Sequence, residues 1–431
     1  MKYLLLALFC IFQKTVCSAQ FTSYFSGDTS NVSTQASGGS CLMGGASEQD
    51  EAMRWFLRQA NGGDVLVLRC TGSNGYNAYL FSQLGVAVNS VETLLLPNLN
   101  AAINPYTIRR INEAEAIWFA GGDQYNYVQY FKNAAVRTAL NNAISRKTVF
   151  GGTSAGMAIM GQAYFMAQNG TITSAEALQN PFDSKLTLGY NDFLQVPFLQ
   201  NAITDTHFDN PDRSGRLVSF MARLATDFGI SQPLGIAANE YVAVCIDSNG
   251  LASVYGDYPN YQEYAYFVYP NPILSGTNPE TCLANQPLTW YKNASPLAVF
   301  KAKATPNGTE KFLIPSRTII ADTNAIRQYW YVQNGVMTIA NMPSVATNAV
   351  EIDNISVINA QNQLIVQGLE PQKNYAIQVF DGVGRLVLSQ NASQKTQVTL
   401  ALNAALPPQI LVVKITSNHK TSFFKIPINH D

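Results

Sequence analysis

Lys147-Thr-Val-Phe-Gly-Gly-Thr-Ser-Ala-Gly-Met157 is the stretch that decides the fold. Thr148, Val149 and Phe150 read as the end of a buried strand, Gly151 and Gly152 as a tight turn, and Met157 to Phe165 as a helix with apolar spacing. Gly152-Thr-Ser-Ala-Gly156 therefore fits GxSxG between a strand and a helix, an elbow whose glycines leave the serine hydroxyl free to project at the carboxyl end of a sheet. The amide of Ala155, at the start of the helix, is then placed to stabilise an oxyanion. A serine nucleophile needs a base near neutral pH, and histidine serves without large environmental tuning. His207 is the only histidine before the last thirteen residues, so Ser154 and His207 pair with little ambiguity.

Outward from this turn, strands and helices alternate. Leu42-Met43 begins a short strand ending at Gly44-Gly45; Glu48 to Gln59 reads as helix, Asp64 to Arg69 as strand, Asn77 to Leu84 as helix and Val91 to Leu96 as strand. Ala116 to Phe119 is a strand ending at Gly121-Gly122-Asp123-Gln124, and Tyr127 to Ile144 a helix. Such βα repeats predict an α/β fold, a parallel sheet with helices on both faces and its ligand site beyond the carboxyl ends of the strands. The three glycine turns fall on that rim.

Composition narrows the class. Of 431 residues, 47% are hydrophobic and 13% charged, which describes a folded protein of more than one domain. Residues 1–19 carry Lys2, an apolar run from Tyr3 to Phe12 and the small-residue end Cys17-Ser-Ala19, the pattern of a secretory signal peptide. The run is too short for a membrane span, and no transmembrane segment is expected later. Without that peptide, 25 basic residues face 28 acidic ones, a balance that attracts neither nucleic acid nor an acidic membrane. Cys41, Cys70, Cys245 and Cys282 remain, without close CxxC spacing, so no metal or redox site is expected and no cofactor is implied. The tyrosine-rich stretch Tyr255 to Tyr269 reads as aromatic strand in preference to a polymer-binding platform.

Leu42-Met-Gly-Gly45, Phe119-Ala-Gly-Gly-Asp-Gln124, Gly151-Gly-Thr-Ser-Ala-Gly156 and Asp205-Thr-His-Phe208 with Gly215-Arg-Leu217 resemble the cyanophycinase and aspartyl dipeptidase group of serine peptidases, from about Cys41 to Asp247. The resemblance implies a flavodoxin-like sheet related to class I glutamine amidotransferases. It implies Ser154 as nucleophile, His207 as base, the amides of Gly122 and Ala155 as oxyanion hole, and Gln124, Asp123 and Asp205 as residues that bind a peptide substrate. The third member of the triad is placed at Glu176 by that resemblance, with Asp183, Asp192 and Asp205 competing, the last because residues two apart on a strand share a face. Where cyanophycinase has Asp-Gln-His-Phe and three later arginines, this chain has Thr206 for the glutamine and Pro211 for the first arginine. Arg213 and Arg216 remain to grip an acidic substrate in two places, which favours aspartyl or β-aspartyl peptides. A homodimer is compatible with this reading. The alternative is a catalytically inactive cell-surface binding protein that keeps the fold.

The catalytic domain is expected over 20–330, followed by a joining region at 331–349. From 350 to 431, short period-two runs between turns predict a small antiparallel β-sandwich. Phe380-Asp-Gly-Val-Gly-Arg-Leu386, Leu406-Pro-Pro-Gln-Ile-Leu-Val-Val-Lys414 and Phe424-Lys-Ile426 resemble a type IX secretion sorting domain, with Gln409 standing where that family usually has glycine. This resemblance implies bacterial secretion or surface display, with the secretion machinery as a partner.

Overall fold

The computed structural model describes residues 21–342, except 273, 275 and 322–324, and residues 355–428, except 361–362, 382–384, 403–408 and 418–419. The expected signal peptide lies outside the described residues, as does much of the two turn segments on which the sorting-domain resemblance rests.

The first sheet is built from β1 (Thr22–Gly27), β2 (Ser40–Met43), β3 (Asp64–Arg69), β4 (Ser90–Leu95), β5 (Ala116–Phe119) and β6 (Val149–Thr153). Five of these run parallel in the order β4-β3-β5-β6-β2, with β1 antiparallel on β4. The first parallel strand thus lies beside the last, not in the order 2-1-3-4-5 of flavodoxin. Period-two alternation divides the side chains. Leu42, Leu66, Leu68, Ile117 and Phe119 enter one core, and Met43, Val65, Val67, Trp118 and Val149 the other. Helix α1 (Asp50–Gln59) covers the second face with Met53, Phe56 and Leu57. The first face takes Tyr127, Phe131, Val136 and Leu140 from two helices, Gln124–Phe131 and Ala134–Ser145. A single helix over Tyr127–Ile144 was the expectation; the chain breaks it because the Asn133 side chain caps the second segment at the Ala135 N–H.

The helix expected over Met157–Phe165 is also corrected. Only Ala155–Ala158 is helical, and Ala163–Phe165 (β7) is a strand that opens a second sheet. Its pairing with β8 (Leu188–Tyr190) and β9 (Ala202–Asp205) overrides the local apolar spacing. That sheet continues through β10 (Leu234–Ala238), while β11 (Ala243–Ile246) and β12 (Leu251–Tyr255) return to the first sheet beside β2. The tyrosine-rich segment supplies β13 (Tyr264–Pro270). The single parallel sheet anticipated from the βα repeats is therefore two mixed sheets of ten and eight strands. Phe267 and Phe300 of the second sheet stack on Phe312 of the first, with centroids 4.4 and 6.3 Å away, closing a shared core. The far face of the second sheet is covered by the helix Ser214–Asp227 through Leu217, Phe220, Met221 and Leu224.

The strands Ile326–Gln333 and Val336–Asn341 belong to this second sheet, so the segment expected to join domains is, as far as Asn341, part of the fold. Trp330, buried against Phe208 and Tyr266, supplies the reason. Beyond it, residues 356–428 form two antiparallel sheets of three and four strands. Leu364, Val366 and Leu400 from one and Ile377, Val413 and Ile415 from the other share a single apolar cluster, the arrangement of a small sandwich. Among the described residues, no helix is long and apolar enough to cross a membrane.

Candidate active site

Ser154 follows β6 with φ +52° and ψ −116°, a left-handed conformation that costs a non-glycine residue about 1–3 kcal/mol. The surrounding backbone holds it there. Its N–H donates to the Met43 carbonyl at 3.0 Å, and its carbonyl receives the Ala158 N–H at 2.9 Å. Glycine is required on both sides: a Cβ on Gly152 would stand 2.5 Å from the Gly156 carbonyl carbon, and one on Gly156 2.1 Å from the Phe119 oxygen.

The Ser154 hydroxyl lies 2.8 Å from Nε2 of His207. His207 leaves β9 with φ +46°, and its own N–H donates to the Gly44 carbonyl at 2.8 Å. The ring packs against Gly45, where a Cβ would fall 2.4 Å from Nε2. On its other side, Nδ1 is 2.6 Å from Oε1 of Glu240. A carboxylate there accepts the Nδ1 proton and fixes the tautomer whose Nε2 can accept from serine. The bond to His207 holds the Glu240 carboxyl below its ordinary range, against a smaller opposing effect of burial. Glu240 is positioned by its N–H on Asp209 at 3.0 Å and by Tyr241, whose N–H donates to Gly45 at 3.0 Å. Because β9 and β10 are parallel neighbours, His207 and Glu240 emerge side by side.

The carboxylate beside His207 is thus not that of Glu176. Glu176 forms the capping box of the helix Ser174–Gln179 with Thr173 and an ion pair with Lys185 at 2.7 Å. Asp183 caps the Lys185 N–H, and Asp192 binds Lys132 and the Tyr164 hydroxyl, so neither reaches the imidazole. Asp205 shares β9 with the approach to His207, yet its two oxygens bind Arg216 at 2.8 and 2.5 Å. Arg216 and Asp205 are 4% and 3% exposed, and Arg216 also binds Thr171, so neither is free to grip substrate. Burial, not sequence position, decides this. Arg213 is less enclosed: its Nη1 donates to the Thr206 carbonyl at 2.8 Å, and among the described residues it has no carboxylate partner.

Gly122, with φ +144°, belongs to the turn after β5, and a Cβ on Gly121 would be 3.6 Å from that of Ser154. Gly121 thus packs against the nucleophile, Gly122 is the next residue of that turn, and Ala155 begins the short helix that follows Ser154. Asp123 is the N-cap of the helix Gln124–Phe131, accepting from the Tyr125 N–H at 2.9 Å, and Gln124 donates to the Phe165 carbonyl at 2.7 Å. Both side chains support the rim. The cleft itself, about 830 Å³, runs from Ser154 and His207 to Glu48, Arg69, Tyr76 and Tyr79, four residues that the motifs did not single out. Glu240 was missed too, although it is the only acid between Asp227 and Asp247 and interrupts an apolar run.

Two cyanophycinases, from Synechococcus elongatus and Thermosynechococcus vestitus, are each 24% identical over 207 residues, which is 48% of this chain. The chain spans 57% of the length of these curated relatives. A crystal structure of a peptidase from an acI-B1 actinobacterium is 16% identical with a TM-score of 0.38, covering 52% of this chain and 89% of that one. Residues 76–249, which carry Ser154, His207 and Glu240 together, match the model of peptidase family S51, and this is the family the chain is similar to.

Proposed function

We propose that the protein is a serine peptidase acting through an acyl-enzyme. Ser154 attacks the scissile carbonyl while His207 Nε2 takes its proton; Glu240 orients the ring and stabilises the imidazolium. The amides of Gly122 and Ala155 receive the developing oxyanion. His207 then protonates the leaving amine and takes a proton from water, whose hydroxide attacks the acyl carbonyl; as the ester bond breaks, His207 returns that proton to Ser154 and the acid is released. The observation that carries this reading is the unbroken relay of 2.8 and 2.6 Å from a strained serine through one imidazole to one carboxylate.

The similarity to cyanophycinases supports aspartyl or β-aspartyl peptides as substrates. We further read residues 1–19 as an export signal and the C-terminal domain as the sorting device for type IX secretion; amino-terminal sequencing and mass measurement of the protein recovered outside the cell test this. The hydrolytic reading is tested by a serine-directed phosphonate. Adduct mass on the peptide containing Ser154, absent from Ser154→Ala, is the expected result; an unlabelled wild type ends the proposal.

A further inference from the structure

Arg69 closes β3, two strands out from the nucleophile in the order β3-β5-β6-β2, and its side chain lines the cleft that holds Ser154 and His207. Its guanidinium is fixed without a counter-charge. Nε donates to the Thr71 carbonyl at 2.6 Å and Nη1 to the Ser73 carbonyl, while no carboxylate among the described residues pairs with it. The loop wraps so closely that a Cβ on Gly72, whose φ is +92°, would meet Nη2 at 2.1 Å. The same loop abuts the oxyanion turn, since Thr71 Oγ1 is the nearest atom, at 3.4 Å, to a Cβ built on Gly122.

The same cleft also carries the opposite charge. Glu48 accepts from the Tyr76 hydroxyl through one oxygen, and its other oxygen has no partner among the described residues. Asp50 accepts from Tyr79 at 2.9 Å and also meets Arg54 at 3.5 Å, so it is more nearly satisfied. Burial, reinforced by these carboxylates, raises both phenols and keeps them protonated donors. Thr153, 5% exposed on the same wall, has a hydroxyl with no partner. Glu48 and Arg69 share one cleft without forming an ion pair, so a ligand with two separated charges fits it better than a singly charged one.

Strand order separates the His207 end of the cleft from the Arg69 end. His207 meets the turn after β2 through Gly44, whereas Arg69 ends β3, beyond the β5 turn that carries Gly122; with the leaving amine on the His207 side, the acyl group falls toward Arg69. Resting on the serine-peptidase reading, we propose that Arg69 and Glu48 are the specificity-determining pair of the acyl side: the Arg69 fork binds a free carboxylate, and Glu48 binds a free ammonium of the same residue. Arg69 thus takes the role that Arg216, spent on Asp205, cannot fill. Such a subsite admits an amino-terminal residue and makes the enzyme exo-acting.

The test is calorimetric binding to the full chain carrying Ser154→Ala, with aspartyl-alanine, asparaginyl-alanine and N-acetyl-aspartyl-alanine as probes. We expect aspartyl-alanine to bind about 10- to 100-fold more tightly than either analogue. Adding Arg69→Gln should bring aspartyl and asparaginyl probes within about twofold, while Glu48→Gln should do the same for the free and acetylated amines. Arg69→Lys, which keeps charge and loses the fork, gives an intermediate ratio and serves if the glutamine variant unfolds. Unchanged ratios in the variants, or no preference in the parent, overturn the inference. Phosphonate labelling of the wild type separates the failures: a labelled enzyme with unchanged ratios loses only this subsite, whereas an unlabelled one loses the peptidase reading.

Discussion

Two charged pairs arise two residues apart on the same stretch of chain and differ in how much water reaches them. Asp205–Arg216 has side chains 4% and 5% exposed, both carboxylate oxygens bonded and the guanidinium shared with Thr171. His207–Glu240, just past the strand end, is 24% and 22% exposed and leaves Nε2 facing Ser154. Saturation makes the first pair a fixture of the fold. Incompleteness leaves the second able to move a proton, as the proposed reaction requires. A charged pair arising from one motif can therefore mean stability or chemistry, and burial and the direction of the remaining donors tell which.

Substitutions sharpen that contrast. Ser154→Ala should lower kcat by about 10⁶-fold, measured on an aspartyl dipeptide against the wild type. Glu240→Gln, which keeps the shape and loses the charge that fixes the tautomer, should cost about 10⁴-fold in kcat with little change in melting temperature. If Glu240→Gln leaves kcat near normal while Glu176→Gln does not, the assignment of the third residue reverses.

Arg216→Ala should act on the other pair. It strands a buried carboxylate, so urea unfolding should show a loss of about 3–5 kcal/mol, and Asp205→Leu with Arg216→Met should recover most of it. Residual activity should fall alike on acidic and neutral peptides; a selective rise in KM for acidic ones would return Arg216 to substrate binding. The smallest effect belongs to Glu176. Lys185, then the Thr173 N–H and hydroxyl, lower its carboxyl from 4.5 to about 2 in the folded chain. A depressed folded value stabilises above the unfolded value, and that contribution is lost as pH falls through about 2. Glu176→Gln should therefore be slightly less stable than wild type at pH near 6, with the two melting curves converging as the solution is acidified across that window.

Ser154 and His207 were legible because one motif and one histidine left no rival. The turns at Gly44-Gly45 and Gly121-Gly122 were legible because close backbone approach leaves a glycine signature. Glu240 was not, because acids are common and the hydrogen bond that distinguishes it joins two loops 33 residues apart. Arg216 was misread since its partner, eleven residues earlier, is a matter of depth and not of pattern. The second sheet escaped for a similar reason: Ala163–Phe165 has helical spacing in isolation and becomes a strand only when Ile203 offers an edge. The C-terminal strands were legible as period-two runs because their alternation is local.

The close seat that Gly45 gives the imidazole matters beyond its own contact. Because Gly45 leaves no room for even a methyl group, a single mutation there should tilt the ring from Ser154 and abolish the proposed hydrolysis while serine, histidine and glutamate all remain in the sequence. Relatives scored by residue inventory alone would pass as competent; the vacant spot beneath the ring is the better diagnostic of whether a copy still works.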